Sequence, residues 1–351
     1  MVDRNFSISS FLALRYIAKP SVNFTDKIHY RYPEIPSDNG KILVQTAEDI
    51  DIVLRNQIEK IKNRKVGIFL SGGMDSSILA SYLPGIDAYT FRFLGGKFQQ
   101  DELHRAEIFA KKNRMRLHYV DIDWSTVTEN LKPVMLFKGG PVHSIEPQIC
   151  QGAKQAKNDG IDLMIIGDAS DYIFGGMDKL LSKDWTFDEF YHRYIYVDPF
   201  EVLKEPMSVK YLFERYKTGS GINFIEILDK LATQESYGSY DNAFKTAGLD
   251  YFDPYEKMKM ADPLDLMRIR SGESKYLIRE LFKMKYPDHL VPEKIPMPRP
   301  VDTYFKKWKG PTRLEFKDGI DIRQYDGNQK WLMWCLEVFL NMIDEMERKN
   351  D

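Results

Sequence analysis

Val66-Gly67-Ile68-Phe69-Leu70-Ser71-Gly72-Gly73-Met74-Asp75-Ser76-Ser77 is the stretch that sets the reading of the chain. Val66 to Leu70 reads as a short buried strand and Ile78 to Leu83 falls in a helix, so Ser71 to Ser77 is a strand-to-helix turn. Two glycines let such a turn tighten and its backbone approach an anion. N–H groups at the start of the helix and the hydroxyls of Ser71, Ser76 and Ser77 offer donors to phosphate oxygens. The turn reads as a phosphate cradle. It lacks the Lys-Ser/Thr ending of a Walker A loop, which disfavours γ-phosphate transfer.

Working outward, Ala88 to Phe93, Leu117 to Ile122 and Leu163 to Ile166 read as further strands. Helical patterns separate them at Glu102 to Asn113 and around Ile149 to Lys157. Strands and helices alternate over about 100 residues, the pattern of a parallel sheet with helical crossovers, whose ligands sit beyond the carboxyl ends of the strands. Upstream, Thr46 with Asp49 three positions later predicts a helix start, and Ile50, Leu54, Ile58 and Ile61 give that helix one apolar face. From Met177 onward the pattern is helical and aromatic-rich, with no strand alternation. The expected organisation is an N-terminal segment and helix (1–64) packed on a nucleotide-binding α/β core (65–180), followed by a mainly helical part (181–351) completing the site.

The composition excludes several classes. With 50 Lys+Arg against 52 Asp+Glu in 351 residues, the formal charge of -2 gives no whole-chain reason to expect a nucleic-acid partner. Cys150 and Cys335 lie far apart, so neither a disulfide framework nor a zinc knuckle is expected. The six histidines show no HExxH pattern and are expected to be structural or exposed. The first 20 residues lack a signal peptide's apolar run. Trp331 to Ile343 is too short to cross a bilayer and reads as a buried helix carrying Cys335. No membrane association and a cytoplasmic setting are expected. Phe187, Phe190, Tyr191, Tyr194 and Tyr196 form an aromatic cluster expected to pack in a core or interface.

Ser71 to Ser76 resembles the pyrophosphate-binding loop of the N-type ATP pyrophosphatases, shared by asparagine synthetases, β-lactam synthetases, GMP and NAD synthetases and tRNA lysidine synthetases. A second segment narrows the likeness. Gly167-Asp168-Ala169-Ser170-Asp171-Tyr172-Ile173-Phe174-Gly175-Gly176 resembles the Gly-Glu-Gly-x-Asp-Glu-x-Phe-Gly-Gly signature of the asparagine synthetase family's synthetase domain. Supporting likenesses fall at Ser10 to Tyr16, at Asp101, Glu102 and Ala106, at Phe252 to Pro254, at Ser274 to Arg279 and in the basic, proline-rich stretch Lys294 to Pro300.

The resemblance implies an adenine nucleotide α-hydrolase-like fold and an ATP-dependent, AMP-forming amide ligase. Such an enzyme adenylates a carboxylate and passes the acyl group to ammonia or an amine. ATP is expected to lie on Ser71, Gly72, Gly73, Asp75, Ser76 and Ser77, with Leu70, Phe93, Ile166 and Gly167 clasping the adenosine. Asp75 and Asp171 follow two different strands at one sheet edge, and hard oxygen ligands of this kind suit a Mg²⁺ bridged to the triphosphate. The resemblance gives Lys275, in the helix after Gly272-Glu273-Ser274, the neutralisation of charge on the α-phosphate and departing pyrophosphate. Its neighbourhood agrees: residues 257–313 hold 14 Lys+Arg against 7 Asp+Glu.

Two departures stand out. Asp168 occupies the signature's Glu position, one methylene shorter, which alters its reach toward an incoming amine. No glutaminase domain is expected before the synthetase part, since the sequence begins Met1-Val2 and its first cysteine is Cys150. Nitrogen is therefore expected from free ammonia, a separate glutaminase subunit or an amine on another molecule. The alternatives are a tRNA-modifying ATP pyrophosphatase, which shares the first loop but not the second, and a nucleotide-binding homologue without catalysis.

Overall fold

The computed structural model describes residues 1–35, 37–94, 99–293 and 299–349. Five parallel strands form the central sheet, in the order Arg116–Ile122, Asp87–Phe93, Val66–Phe69, Leu163–Ile165 and Asp250–Phe252. The strand carrying the Ser71–Ser77 turn lies in the middle. Successive strands are laid down to one side of it and then to the other, so the order reverses between Val66–Phe69 and Leu163–Ile165. That switch point opens a crevice at the carboxyl ends of these two strands.

The crossovers are helices Met74–Ala80, Gln100–Lys112, Trp124–Lys138 and Glu146–Asn158. Ile68, Ala88, Val120 and Ile165 have no exposed surface, as strands covered on both faces require. Upstream, helix Ala47–Lys60 begins as its sequence predicts: Thr46 accepts the Asp49 N–H at 3.1 Å, and the Asp49 carboxylate accepts the Thr46 N–H at 3.0 Å. Helix Arg4–Leu14, capped by Asp3, packs against the long final helix Gly327–Arg348. Cys335 is buried in that final helix with its thiol 3.3 Å from the Val142 carbonyl.

The parallel α/β core and the mainly helical second half agree with the expected fold class. The expectation of no strands beyond Met177 is corrected, because the sheet takes its edge strand Asp250–Phe252 from there. Met258–Met260 also pairs in parallel with Ile42–Val44. At three residues each, these strands are too short for a period-two pattern to register. The helix that continues from Phe224 to Ala247 holds one π turn, Leu228–Ala232.

Candidate active site

Two loops meet at the switch point. In the first, the Ser71 and Ser76 hydroxyls lie 3.1 Å apart, and the Gly73 N–H donates to Ser71 Oγ at 3.2 Å. Gly72 has a φ of +73°, and a Cβ there would stand 2.6 Å from the Ala106 nitrogen. The turn thus closes only with glycine against helix Gln100–Lys112. In the second loop Ala169 N–H donates to the buried Asp253 carboxylate at 2.7 Å, which ties the loop to the far end of the edge strand. The loop then closes on itself: Gly176 N–H donates to the Asp171 carbonyl at 2.8 Å. A Cβ on Gly176 would stand 2.2 Å from Asp171 Oδ1.

Lys275 joins the two loops. Its Nζ lies 2.7 Å from both carboxylate oxygens of Asp75 and 2.6 Å from Asp171 Oδ1, with only 3% of the residue exposed. Burial opposes the charge on this ammonium, but the fields of Asp75 and Asp171 outweigh it and hold the pKa above the ordinary lysine value. Ser170 Oγ donates to Asp75 as well. The expected helical placement of Lys275 is corrected. The helix is Tyr276–Lys285, and Lys275 precedes it in the left-handed region at φ 56°. A non-glycine residue held there stores strain of about 1–3 kcal/mol, offset here by two charge-assisted contacts.

Beyond these loops a cleft of about 190 Å³ is lined by Phe69, Leu70, Ser71, Asp75 and Ser76 from the first strand and turn, and by Tyr89, Thr90 and Phe91 from the second strand. Glu102, Ile149, Ile166, Gly167, Asp168, Asp171 and Tyr240 complete the lining. Eight residues expected from the sequence therefore share one cavity wall: Leu70, Ser71, Asp75, Ser76, Ile166, Gly167, Asp168 and Asp171. Phe93 does not line it. That ring is buried farther along, and Thr90 and Phe91 stand on the wall instead. Ser77 is also turned away: its hydroxyl donates to the Gly73 carbonyl at 2.7 Å, inside the helix.

Two acids on this wall are shifted. Burial first, and then the nearby Asp171 and Glu235 carboxylates, push Asp168 up to about 7 against the opposing hydrogen bond from Ser236. Burial likewise pushes Glu102 up to about 7, and its Oε2 has no hydrogen-bond partner. An acid poised near neutrality in a cleft is equipped to accept or return a proton.

Sequence reasoning missed a charged cluster behind the cleft. Glu235 neighbours Ser236, the residue that bonds Asp168, and Glu235 Oε1 lies 3.0 Å from His143 Nδ1 and 3.7 Å from Arg15. Arg299 donates to His143 Nε2 at 3.0 Å, while burial and then Arg15 press the imidazole pKa down to about 3, so this ring is neutral. Arg15 also stacks on Tyr196 at 3.5 Å. Arg15 and Arg299 fall in stretches the resemblance had marked, but nothing in the sequence joins them to His143 or Glu235, and the histidine showed no partner in sequence. Of the basic stretch Lys294 to Pro300, residues 294–298 lie outside the described residues. Among the described residues no group of three or more His, Cys, Asp or Glu side chains is arranged to hold a metal, and no helix is long and apolar enough to cross a membrane.

A parallel α/β core with a glycine-rich cradle and paired carboxylates at its switch point defines a nucleotide-binding protein of the ATP-using ligase class. Residues 51–235, more than half of the chain, match the asparagine synthase family, and the chain belongs to that family. No curated protein matches it. Among solved structures it is similar to the U34-tRNA thiolase NcsA from Methanococcus maripaludis with its [4Fe-4S] cluster, at 14% identity and a TM-score of 0.34. That likeness covers 85% of this chain and 80% of the thiolase. It is also similar to NMN synthetase from Francisella tularensis, at 12% identity and a TM-score of 0.29, covering 72% of this chain and 100% of the other. Both likenesses are distant.

Proposed function

We propose that the protein is an AMP-forming ligase that adenylates a carboxylate and transfers the acyl group to ammonia or an amine. The observation that carries this reading is the convergence of Asp75, Asp171 and Lys275, from three separate segments, at the mouth of a cleft walled by Leu70, Phe91 and Ile166. The apolar walls suit a purine, and the Ser71–Ser76 turn suits the phosphates.

In the first step a carboxylate oxygen attacks the α-phosphorus of ATP. The bond from that phosphorus to the bridging oxygen breaks, and pyrophosphate leaves with the electron pair. Lys275 balances the negative charge that gathers on the phosphates. In the second step the nitrogen attacks the acyl carbon, the carbon–oxygen bond to the phosphate breaks, and AMP departs. Asp168, poised near neutrality, takes the proton that the nitrogen loses.

Two carboxylates with triphosphate oxygens match the usual donor set for Mg²⁺, and here both carboxylates are held by Lys275. Asp75 and Asp171 would hold the ion, which when bound supplies charge neutralisation to the phosphates. Nitrogen reaches the site as free ammonia, from a separate glutaminase subunit or as an amine substrate. Thiolation of a tRNA base is disfavoured, because Cys150 and Cys335 are both buried and burial raises both thiol pKa values. Nucleotide product analysis is the test. AMP with pyrophosphate is expected when a carboxylate and an amine are supplied, whereas ADP with orthophosphate sinks the assignment.

A further inference from the structure

A second cavity, of about 500 Å³, opens on the other side of the Gly167–Gly176 loop, and Asp171 lines both it and the nucleotide cleft. Its floor is apolar, built from Ile173, Leu181, Leu228, Met258, Met260 and Leu264. One wall is the π turn Leu228–Ala232, a distortion that recurs at functional sites. Methionines give such a floor adaptable shape.

The charge around this floor is one-sided, with five carboxylates against two ammonium groups. Both lysines, Lys41 and Lys259, are held by one acid, Asp38, at 2.9 and 2.8 Å. Asp171 pairs with Lys275 and Asp229 with Lys230. Glu226 accepts only a neutral amide hydrogen bond from Asn223 at 3.0 Å, and Asp262 one from Gln45 at 3.3 Å. Among the described residues neither has an ion-pair partner.

We propose that this cavity binds the nitrogen nucleophile, and that the nucleophile is a primary amine carrying a hydrophobic body; the inference rests on the ligase reading above. Ammonia needs no apolar chamber of this size. A carboxylate entering here would meet a surplus of its own charge, whereas an alkylammonium ion finds two unpaired carboxylates at the rim and apolar surface for its body. The amine enters protonated and loses one proton to Asp168. Its nitrogen then forms the bond to the acyl carbon as the acyl–oxygen bond breaks and AMP leaves with the electron pair, and the second proton shed by the nitrogen passes to solvent.

The test is calorimetric titration of the full chain at pH 7 with n-octylamine, 1-octanol and octanoate. Octylamine is expected to bind about tenfold or more tightly than either control, and Leu264→Trp, which fills the floor, to weaken it about tenfold. The pair Glu226→Gln with Asp262→Asn is expected to weaken octylamine about fivefold and leave octanol unchanged. Thermal melting verifies that each variant is folded. Equal binding of octanol and octylamine, tighter binding of octanoate, or indifference to these substitutions overturns the assignment. Carboxylate-dependent ATP–pyrophosphate exchange on the same wild-type preparation separates the two claims. Exchange without amine selectivity overturns the cavity's role alone. Absence of exchange overturns the ligase reading, and with it the amine's role as nucleophile.

Discussion

Lys275 Nζ lies 2.7 Å from both oxygens of Asp75 and 2.6 Å from Asp171 Oδ1, so one buried ammonium joins the two loops that follow the central strand and its neighbour. Asp75→Asn and Asp171→Asn are each expected to lower carboxylate-dependent pyrophosphate exchange at least tenfold, and Lys275→Ala by about 10² to 10³, the range for loss of one transition-state contact. Far-UV circular dichroism should remain native. Near-normal exchange in all three would move the active site elsewhere.

Asp168 is held up to about 7 mainly by burial, so it is protonated below neutrality and becomes a base above it. Amide formation per adenylate formed should therefore rise as pH increases through about 7, and Asp168→Asn should lower that ratio by at least tenfold and flatten the rise. The stability effect has the opposite sign. An acid whose folded pKa is raised costs the folded state increasingly as pH rises from about 4 through 7. Asp168→Asn should accordingly melt higher than wild type at pH 8 and show little gain at pH 4. Asp168→Glu restores the family residue and is expected to change amine selectivity more than exchange.

Gly176 is a steric requirement for the site. A Cβ at that position would stand 2.2 Å from Asp171 Oδ1, so Gly176→Ala must displace the carboxylate that Lys275 holds. Exchange should drop about tenfold or more, the loss also expected on removing the Asp171 charge itself. If exchange in Gly176→Ala equals wild type, Asp171 has no fixed role.

Lys138 and Glu146 form a pair 2.7 Å apart with 4% and 0% of their side chains exposed. Glu146 also accepts the His143 N–H at 2.8 Å and a bond from Asn242. Removing one partner strands a buried charge, so Glu146→Ala should lower unfolding free energy by about 3–5 kcal/mol in urea denaturation. Replacing both, as Lys138→Met with Glu146→Leu, should recover much of that loss. Equal destabilisation by the single and double changes would contradict the account.

The α/β core was legible because each strand from Val66 to Ile166 ends in a distinct turn and each crossover carries its own helical pattern. The two loops were legible because glycines, hydroxyls and carboxylates sit at fixed offsets in contiguous segments. Asp250–Phe252 was not, since three residues give too little periodicity, and its place beside Leu163–Ile165 depends on the packing of the whole second half. Phe93 was placed at the cleft two residues too late, because the sequence does not show that the wall on this strand runs from Tyr89 to Phe91. The left-handed backbone of Lys275 and the cluster of Arg15, His143, Glu235 and Arg299 are tertiary results. Their members lie as far as 284 residues apart in sequence.

The chemistry proposed for this cleft joins a carboxylate to the α-phosphate of ATP. Exchange of labelled pyrophosphate into ATP, measured across a panel of carboxylates with no amine present, tests it most directly, because it reports the reversible first step alone. Exchange is expected only with a matching carboxylate and is expected to be lost in Asp75→Asn and Lys275→Ala. Turnover of ATP to ADP and orthophosphate, with no carboxylate supporting exchange, would contradict it.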